Sequence, residues 1–364
     1  MQPGARGSHP FGRRHLLVPG GPLTSASRAA DERTALVTGG AGFVGSTLVD
    51  RLLADGWRVT AFDSFDPYYP AAAKRRNLRD ALGHPAFELI EGDTTTAGLV
   101  AAAVARVRPA IVFDLAARAG VRPSIAEPAG YMTTNVVGLQ HTLSAAVEVG
   151  ARVVFASSSS IYGADDRRPF TEEQALGRPE SPYGASKVAG EALCYAHHAV
   201  TGLPVAVARL FTVYGPRQRP DLAIHAFARR MLRGDEIPVF DHGRALRDYT
   251  FVDDAVEAFV RLAVVDDPYL LVNVGSHHPV RTADMVSELE RALGVHATRR
   301  LLPAQPGDVP ATFADVSRAR DRIGWSPTVP FGEGIDRFCG WLRAELAQEE
   351  NDQAGTASRR PTAR

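Results

Sequence analysis

The chain has only two lysines, Lys74 and Lys187, so almost all of its 41 basic residues are arginine. A lysine-rich tract is excluded, and either lysine is informative where it stands among other polar residues. Cysteine is equally scarce. Cys194 and Cys339 are isolated, which excludes a disulfide framework and a cysteine metal site and fits a reducing cytoplasm. Net charge is absent too: 41 acidic residues balance the 41 basic ones, leaving no overall field to draw in nucleic acid or an anionic membrane. No apolar run approaches the ~18 residues that span a bilayer. The paired histidines His197-His198 and His277-His278 lack acidic partners at ligand spacing, so no metal is expected. These exclusions leave a small-molecule partner met by a local cluster of charge.

What is present is a chain of 364 residues, 45% hydrophobic, long enough to bury a large core. Residues 1–32 are rich in Gly, Pro and Ser without apolar periodicity and read as a disordered leader; 348–364 read as a disordered tail. Arg13-Arg14 before "HLLVPGGPL" resembles a twin-arginine export signal, but Pro and Gly break the apolar run. Between the ends, "TALVTGG", "WRVTAFD", "FELIEGD", "AIVFDLAA" and "ARVVFASSSS" read as strands separated by helical patterns. Strand-helix alternation predicts an α/β fold, a Rossmann-type doubly wound parallel sheet. Residues 33–214 are assigned mainly to it. Pro-rich loops and short elements follow, and 215–347 are expected to form mainly a smaller substrate-binding α/β lobe, with some crossing of the chain between lobes.

"TGGAGFVGS" places Gly39, Gly42 and Gly45 at the first strand-to-helix turn, with Phe43 and Val44 between them. Glycines there let the backbone approach a pyrophosphate whose charge the helix N-terminus meets. Asp63 ends the next strand, followed by Ser64; a carboxylate there accepts from a ribose diol and repels a 2′-phosphate, so NAD is expected over NADP. Asp93 and Thr94 follow the third strand, beside the adenine or, for Asp93, as a helix cap. Leu115, Ala116 and Ala117 end the fourth, alongside the cofactor.

"SPYGASKVAGEAL" sets Tyr183 and Lys187 four apart, on one helix face. A lysine ammonium near the ring oxygen lowers the phenol pKa, making tyrosinate accessible as a base. With "TGGAGFVG" and the serine run before "IYG", "YGASK" resembles the extended short-chain dehydrogenase/reductase family over roughly residues 33–345. Within it, "FDSFDPYY", "LAARAGVRPS", "RLFTVYGPRQRPD", "GRALRDYTFVDD" and "QPGDVPATFAD" resemble the NAD-dependent UDP-sugar 4-epimerases, most closely those acting on UDP-glucuronate.

The resemblance implies Tyr183 as acid/base, Lys187 as its electrostatic partner and Ser158 as the third catalytic member, with Ser159 and Ser160 beside the sugar. It implies Thr212 and Arg219 at the sugar carboxylate, Phe240 against the uracil, and Arg247 and Asp308 on the diphosphate and uridine ribose; Arg217 has no counterpart there and is expected to face solvent. Asn135 aligns near cofactor and substrate or caps a helix, and Arg122 meets the substrate or pairs with Glu127. A cytoplasmic homodimer is implied. A carboxylate clamp has a chemical purpose, because oxidising C4 of a glucuronate makes a β-keto acid that loses carbon dioxide when its C5–carboxylate bond aligns with the ketone π system. Resembling decarboxylases and dehydratases carry an acidic residue before their Tyr-Gly, and "SSSSIYG" has none. The expectation is C4 epimerisation of UDP-glucuronate with NAD as transient acceptor; a UDP-glucose 4-epimerase, a decarboxylase and a non-catalytic NAD-binding regulator are the alternatives.

Overall fold

In the computed structural model, which describes residues 33–96, 98–174, 178–304 and 309–358, β1 (Thr34–Thr38) is buried at every position. A strand covered on both faces needs no polar side, which is why these segments read as apolar runs. β2 (Arg58–Asp63), β3 (Phe87–Glu91), β4 (Ile111–Asp114), β5 (Arg152–Ser158) and β6 (Val205–Leu210) join it, all parallel. Six shorter or later strands follow: β7 (Thr212–Tyr214), β8 (Ile237–Val239), β9 (Leu246–Phe251), β10 (Tyr269–Val274), β11 (Pro279–Arg281) and β12 (Arg299–Leu301). β10 returns to the central sheet, whose order is β10-β6-β5-β4-β1-β2-β3. This is the doubly wound order, reversing between β1 and β4, where a crevice opens at the strands' carboxyl ends.

Alternate side chains of each strand enter two different cores. Val154 and Ala156 of β5 join Phe113, Val37 and the helices Phe43–Ala54 and Val252–Val264. Val153 and Phe155 join Leu36, Val112 and the helices Leu99–Val107, Leu139–Val149 and Pro182–Thr201. Val252–Val264 and β10 come from the later part of the chain yet complete the Rossmann layer. The other later strands form the sheet β11-β9-β7 and the pair β12-β8.

Two carboxylates tie these pieces together. Asp248, fully buried in β9, accepts from Ser276 N–H (2.6 Å) and Oγ (2.7 Å), His277 N–H (3.2 Å) and Ala314 N–H (2.9 Å). Asp254 accepts from Thr328 N–H (3.0 Å) and Oγ1 (2.7 Å) and from Val329 N–H (3.1 Å). The block "RDYTFVDD" therefore carries structural anchors. The last helix, Phe331–Ser358, runs past the point where composition suggests a tail, because Glu345 and Glu349 are held by arginines distant in sequence. Arg76 donates to Glu345 at 2.7 Å and Arg229 to Glu349 at 2.7 Å. The expected leader at 1–32 lies outside the described residues.

Candidate active site

The crevice is a cavity of about 460 Å³ entered from the carboxyl ends of β1, β2, β4, β5 and β6. At its floor, Gly39 has φ +67°, and a side chain there would meet the backbone of Leu115 and Ala116 at 2.9 Å. At Gly45 an added Cβ would overlap the carbonyl of Gly39. The turn is thus closed so tightly that backbone alone faces the crevice. Gly42, Phe43, Val44, Ser64, Asp93, Thr94, Leu115, Ala116 and Ala117 all line it. Asp93 is no helix cap: its carboxylate accepts from Thr95 N–H at 2.8 Å, and the next helix starts only at Leu99.

Asp63 ends β2 with one oxygen accepting from Ala41 N–H (3.0 Å) and the other from Phe65 N–H (2.8 Å). Each oxygen keeps a lone pair for a diol. Lys74, itself buried, stands 3.8 Å from Asp63 and also lines the cavity. Sequence reasoning flagged the rarity of lysine and still gave Lys74 no role. Asn135 departs from its expected place. It sits in a π-helical turn, Thr133–Gly138, where its amide accepts from Arg118 N–H (2.8 Å) and donates to Arg118 O (2.9 Å) and Ser186 Oγ (2.9 Å). Neighbouring Thr134 lines the cavity instead, and Asn135 fastens the loop after β4 to the Tyr183 helix.

That helix begins where Ser181 Oγ accepts from Gly184 N–H at 3.1 Å and Pro182 occupies the first turn. Its start places Tyr183 in the cavity opposite Ser158, Ser159 and Ser160. Burial pushes the Tyr183 phenol up from its ordinary value, while the Ser158 hydroxyl and the Arg219 charge pull it back. Lys187 lines the same cavity as Tyr183. Its ammonium donates to Ala156 O at 2.8 Å, and burial pushes its pKa down to about 8. Arg219 is thus one charge that reaches the phenol. Behind the serines, Ser157 Oγ donates to Glu191 at 2.5 Å, and Glu191 forms a two-point ion pair with Arg209 at 2.9 and 2.8 Å.

Arg219 lines the cavity with its fork already engaged: Nε and Nη2 donate to Asp221 at 2.9 and 2.8 Å, and the guanidinium lies 5.3 Å from the Tyr68 ring centroid. Tyr68 Oη donates to the same carboxylate at 3.3 Å. Asp221 and Tyr68 went unassigned in the sequence, though "RPD" holds the aspartate two residues from its arginine. Arg217 does not face solvent freely, for it pairs with Asp50 at 2.7 Å. Thr212 lines this cavity and a second of about 580 Å³, which also contains Phe240, Arg247 and Arg122. Arg122 lies over the Phe240 ring at 4.9 Å, and Glu127 pairs with Arg118 (2.7 Å) rather than with Arg122. Asp308 lies outside the described residues.

Residues 35–275 match the family model described as the NAD dependent epimerase/dehydratase family. The chain belongs to that family. UDP-glucuronate 4-epimerase 4 of Arabidopsis thaliana is 35% identical over 329 residues, 85% of this chain and 75% of the relative. A crystal structure of the UDP-glucuronic acid 4-epimerase of Bacillus cereus, in complex with UDP-glucuronic acid and NAD, overlays with a TM-score of 0.81 at 32% identity, covering 86% of this chain and 99% of that one. The UDP-glucose 4-epimerase of Thermotoga maritima with UDP-glucose overlays nearly as well, TM-score 0.79 at 30% identity over 86% of this chain and 99% of that one. Overlap of folds therefore leaves the choice of sugar to individual side chains.

The residues of this epimerase-family chain fit NAD. The closed glycine turn leaves only backbone at the pyrophosphate position, and Asp63 offers the ribose two lone pairs. Among the described residues no cluster of ligating side chains suits a metal ion, and no helix is long and apolar enough to cross a membrane.

Proposed function

We propose that this protein interconverts UDP-glucuronate and UDP-galacturonate by C4 epimerisation. The observation that carries the reading is Arg219: a guanidinium on the wall of the cavity that holds Tyr183 and Ser158, close enough to Tyr183 to bias its ionisation, with Thr212 on the wall shared with the second cavity. A sugar reacting at Tyr183 would bring a C5 carboxylate within reach of a charge that a hexose does not need.

NAD, when bound, supplies a transient oxidant for C4. Tyr183 accepts the C4 hydroxyl proton with Ser158 holding the same oxygen, and returns it after the 4-keto sugar has turned to present its other face. The turning intermediate must remain anchored by its nucleotide. Phe240 and Arg247 in the second cavity fit that task, and Asp308 is assigned to the ribose by resemblance. Arg219 and Thr212 hold the carboxylate near the plane of the C4 ketone, which opposes decarboxylation. Lys74 and Asp63 face the adenosine end.

A cytoplasmic homodimer belongs to the same reading. Exposed Val137, Tyr195 and Val200 on and beside the helix Pro182–Thr201 support it, as do two buried thiols, and light scattering tests it. The function itself is tested by comparing kcat/KM for UDP-glucuronate and UDP-glucose. A preference for the uronate is expected; equal use or preference for the hexose refutes the assignment.

A further inference from the structure

Asp114 is the last residue of β4, paired in register with Thr38 of β1 on one side and Phe155 of β5 on the other. It is 3% exposed. A carboxylate so placed needs donors and a counter-charge. Thr38 Oγ1 donates to it at 3.0 Å, and that oxygen in turn accepts from Ala116 N–H at 3.1 Å, so the carboxylate helps fix the cofactor wall. The counter-charge comes from the Tyr183 helix. Lys187 Nζ is bonded to the carbonyl of Ala156, the residue after Asp114's register partner, and stands 4.8 Å from the centroid of the Phe155 ring.

Each group facing Lys187 has a defined state. Glu191, one turn further along the helix, is neutralised by Arg209. The Cys194 thiol is pushed well up by burial and stays protonated. Lys187 is the cation whose charge reaches Asp114, and Asp114 is the foremost anion acting on Lys187. For each buried ion the other is the largest favourable charge, with the Thr38 and Thr142 hydroxyls adding to Asp114 and Glu191 adding to Lys187. We propose that Asp114 is a positioning residue of the active centre, the buried counter-charge that keeps Lys187 an ammonium at neutral pH and seated on Ala156 O. Its consequence for turnover rests on the reading of Lys187 as part of the Tyr183 centre; the charge relation itself does not.

The scarcity of lysine makes the test direct. Full-length protein labelled with 15N at lysine Nζ has two side-chain signals, and Lys74→Arg assigns them. The Lys187 signal is expected to titrate near pH 8 in the natural protein. Asp114→Asn is expected to lower that midpoint by about one unit or more, the size of a nearby opposite charge, and Asp114→Glu to restore it. If the asparagine variant does not fold, Asp114→Ser carries the same expectation. The alkaline limb of kcat should move with the signal. An unmoved midpoint in the neutral variants overturns the counter-charge. A lowered midpoint with an unmoved alkaline limb keeps the charge relation but overturns the role of Asp114 in the active centre.

Discussion

Replacing Arg219 with alanine removes more than a contact. The guanidinium has two duties in the structure: it lines the wall where the uronate carboxylate is placed, and it neutralises Asp221 through two hydrogen bonds of 2.9 and 2.8 Å. A hydrogen bond to a charged group contributes about 1.5–3 kcal/mol. Without the arginine, Asp221 faces the incoming carboxylate unpaired. Two such charges at roughly 5 Å repel by about 3 kcal/mol at an effective dielectric near 20, and the side chain of Asp221, 35% exposed, is screened to about half of that. The sum, about 3–4 kcal/mol, corresponds to a loss of 10²–10³-fold in kcat/KM for UDP-glucuronate. UDP-glucose, which has no carboxylate, should lose less than about tenfold. Adding Asp221→Asn to Arg219→Ala removes the stranded charge and should recover about tenfold for the uronate. Initial rates for the natural protein, the single variant and the double variant on both substrates decide it. A uronate-to-hexose ratio unchanged by Arg219→Ala, or a double variant no better than the single one, refutes the reasoning.

Three further outcomes follow from the geometry. Gly45→Ala forces a methyl group into the Gly39 carbonyl and should cost about 1–3 kcal/mol in urea denaturation while weakening NAD binding measured by calorimetry; undiminished affinity would show that the turn does not meet the cofactor. Tyr183→Phe should lower kcat by about 10²–10⁴-fold and leave NAD affinity intact, whereas a near-natural kcat would remove Tyr183 from the chemistry. Asp248→Ala removes the acceptor of three backbone N–H groups, that of Ala314 buried and those of Ser276 and His277 partly so, and should destabilise the protein by about 2–4 kcal/mol; a loss below about 1 kcal/mol would mean that water replaces the carboxylate.

β1, β4 and β5 were legible because they are covered on both sides and appear as apolar runs ending in the residues of the crevice; β3, half-exposed at the sheet edge, showed a mixed pattern, and β6 and β10 were not read as strands. β7, β8, β11 and β12 have three residues each, too few for a period of two to register, and the second lobe accordingly could only be placed as a region. The site was legible where backbone geometry demands a residue type, as at Gly39 and Gly45. It was illegible where a role depends on a partner brought in by the fold. Asn135 is spent on Arg118 and Ser186 and Arg217 on Asp50, and no spacing in the sequence announces those pairs. Asp221 is the converse case: it lies two residues from Arg219, yet only the turn between them folds its carboxylate back onto the guanidinium.

The central claim is that the cavity epimerises a uronate without losing its carboxylate. Purified protein incubated with UDP-glucuronate and NAD, followed by NMR of the nucleotide sugars with carbon dioxide monitored in the same vessel, tests it most directly. UDP-galacturonate accumulating to a fixed ratio with no gas is the predicted result; a UDP-pentose with stoichiometric gas, or no conversion of the uronate, would contradict it.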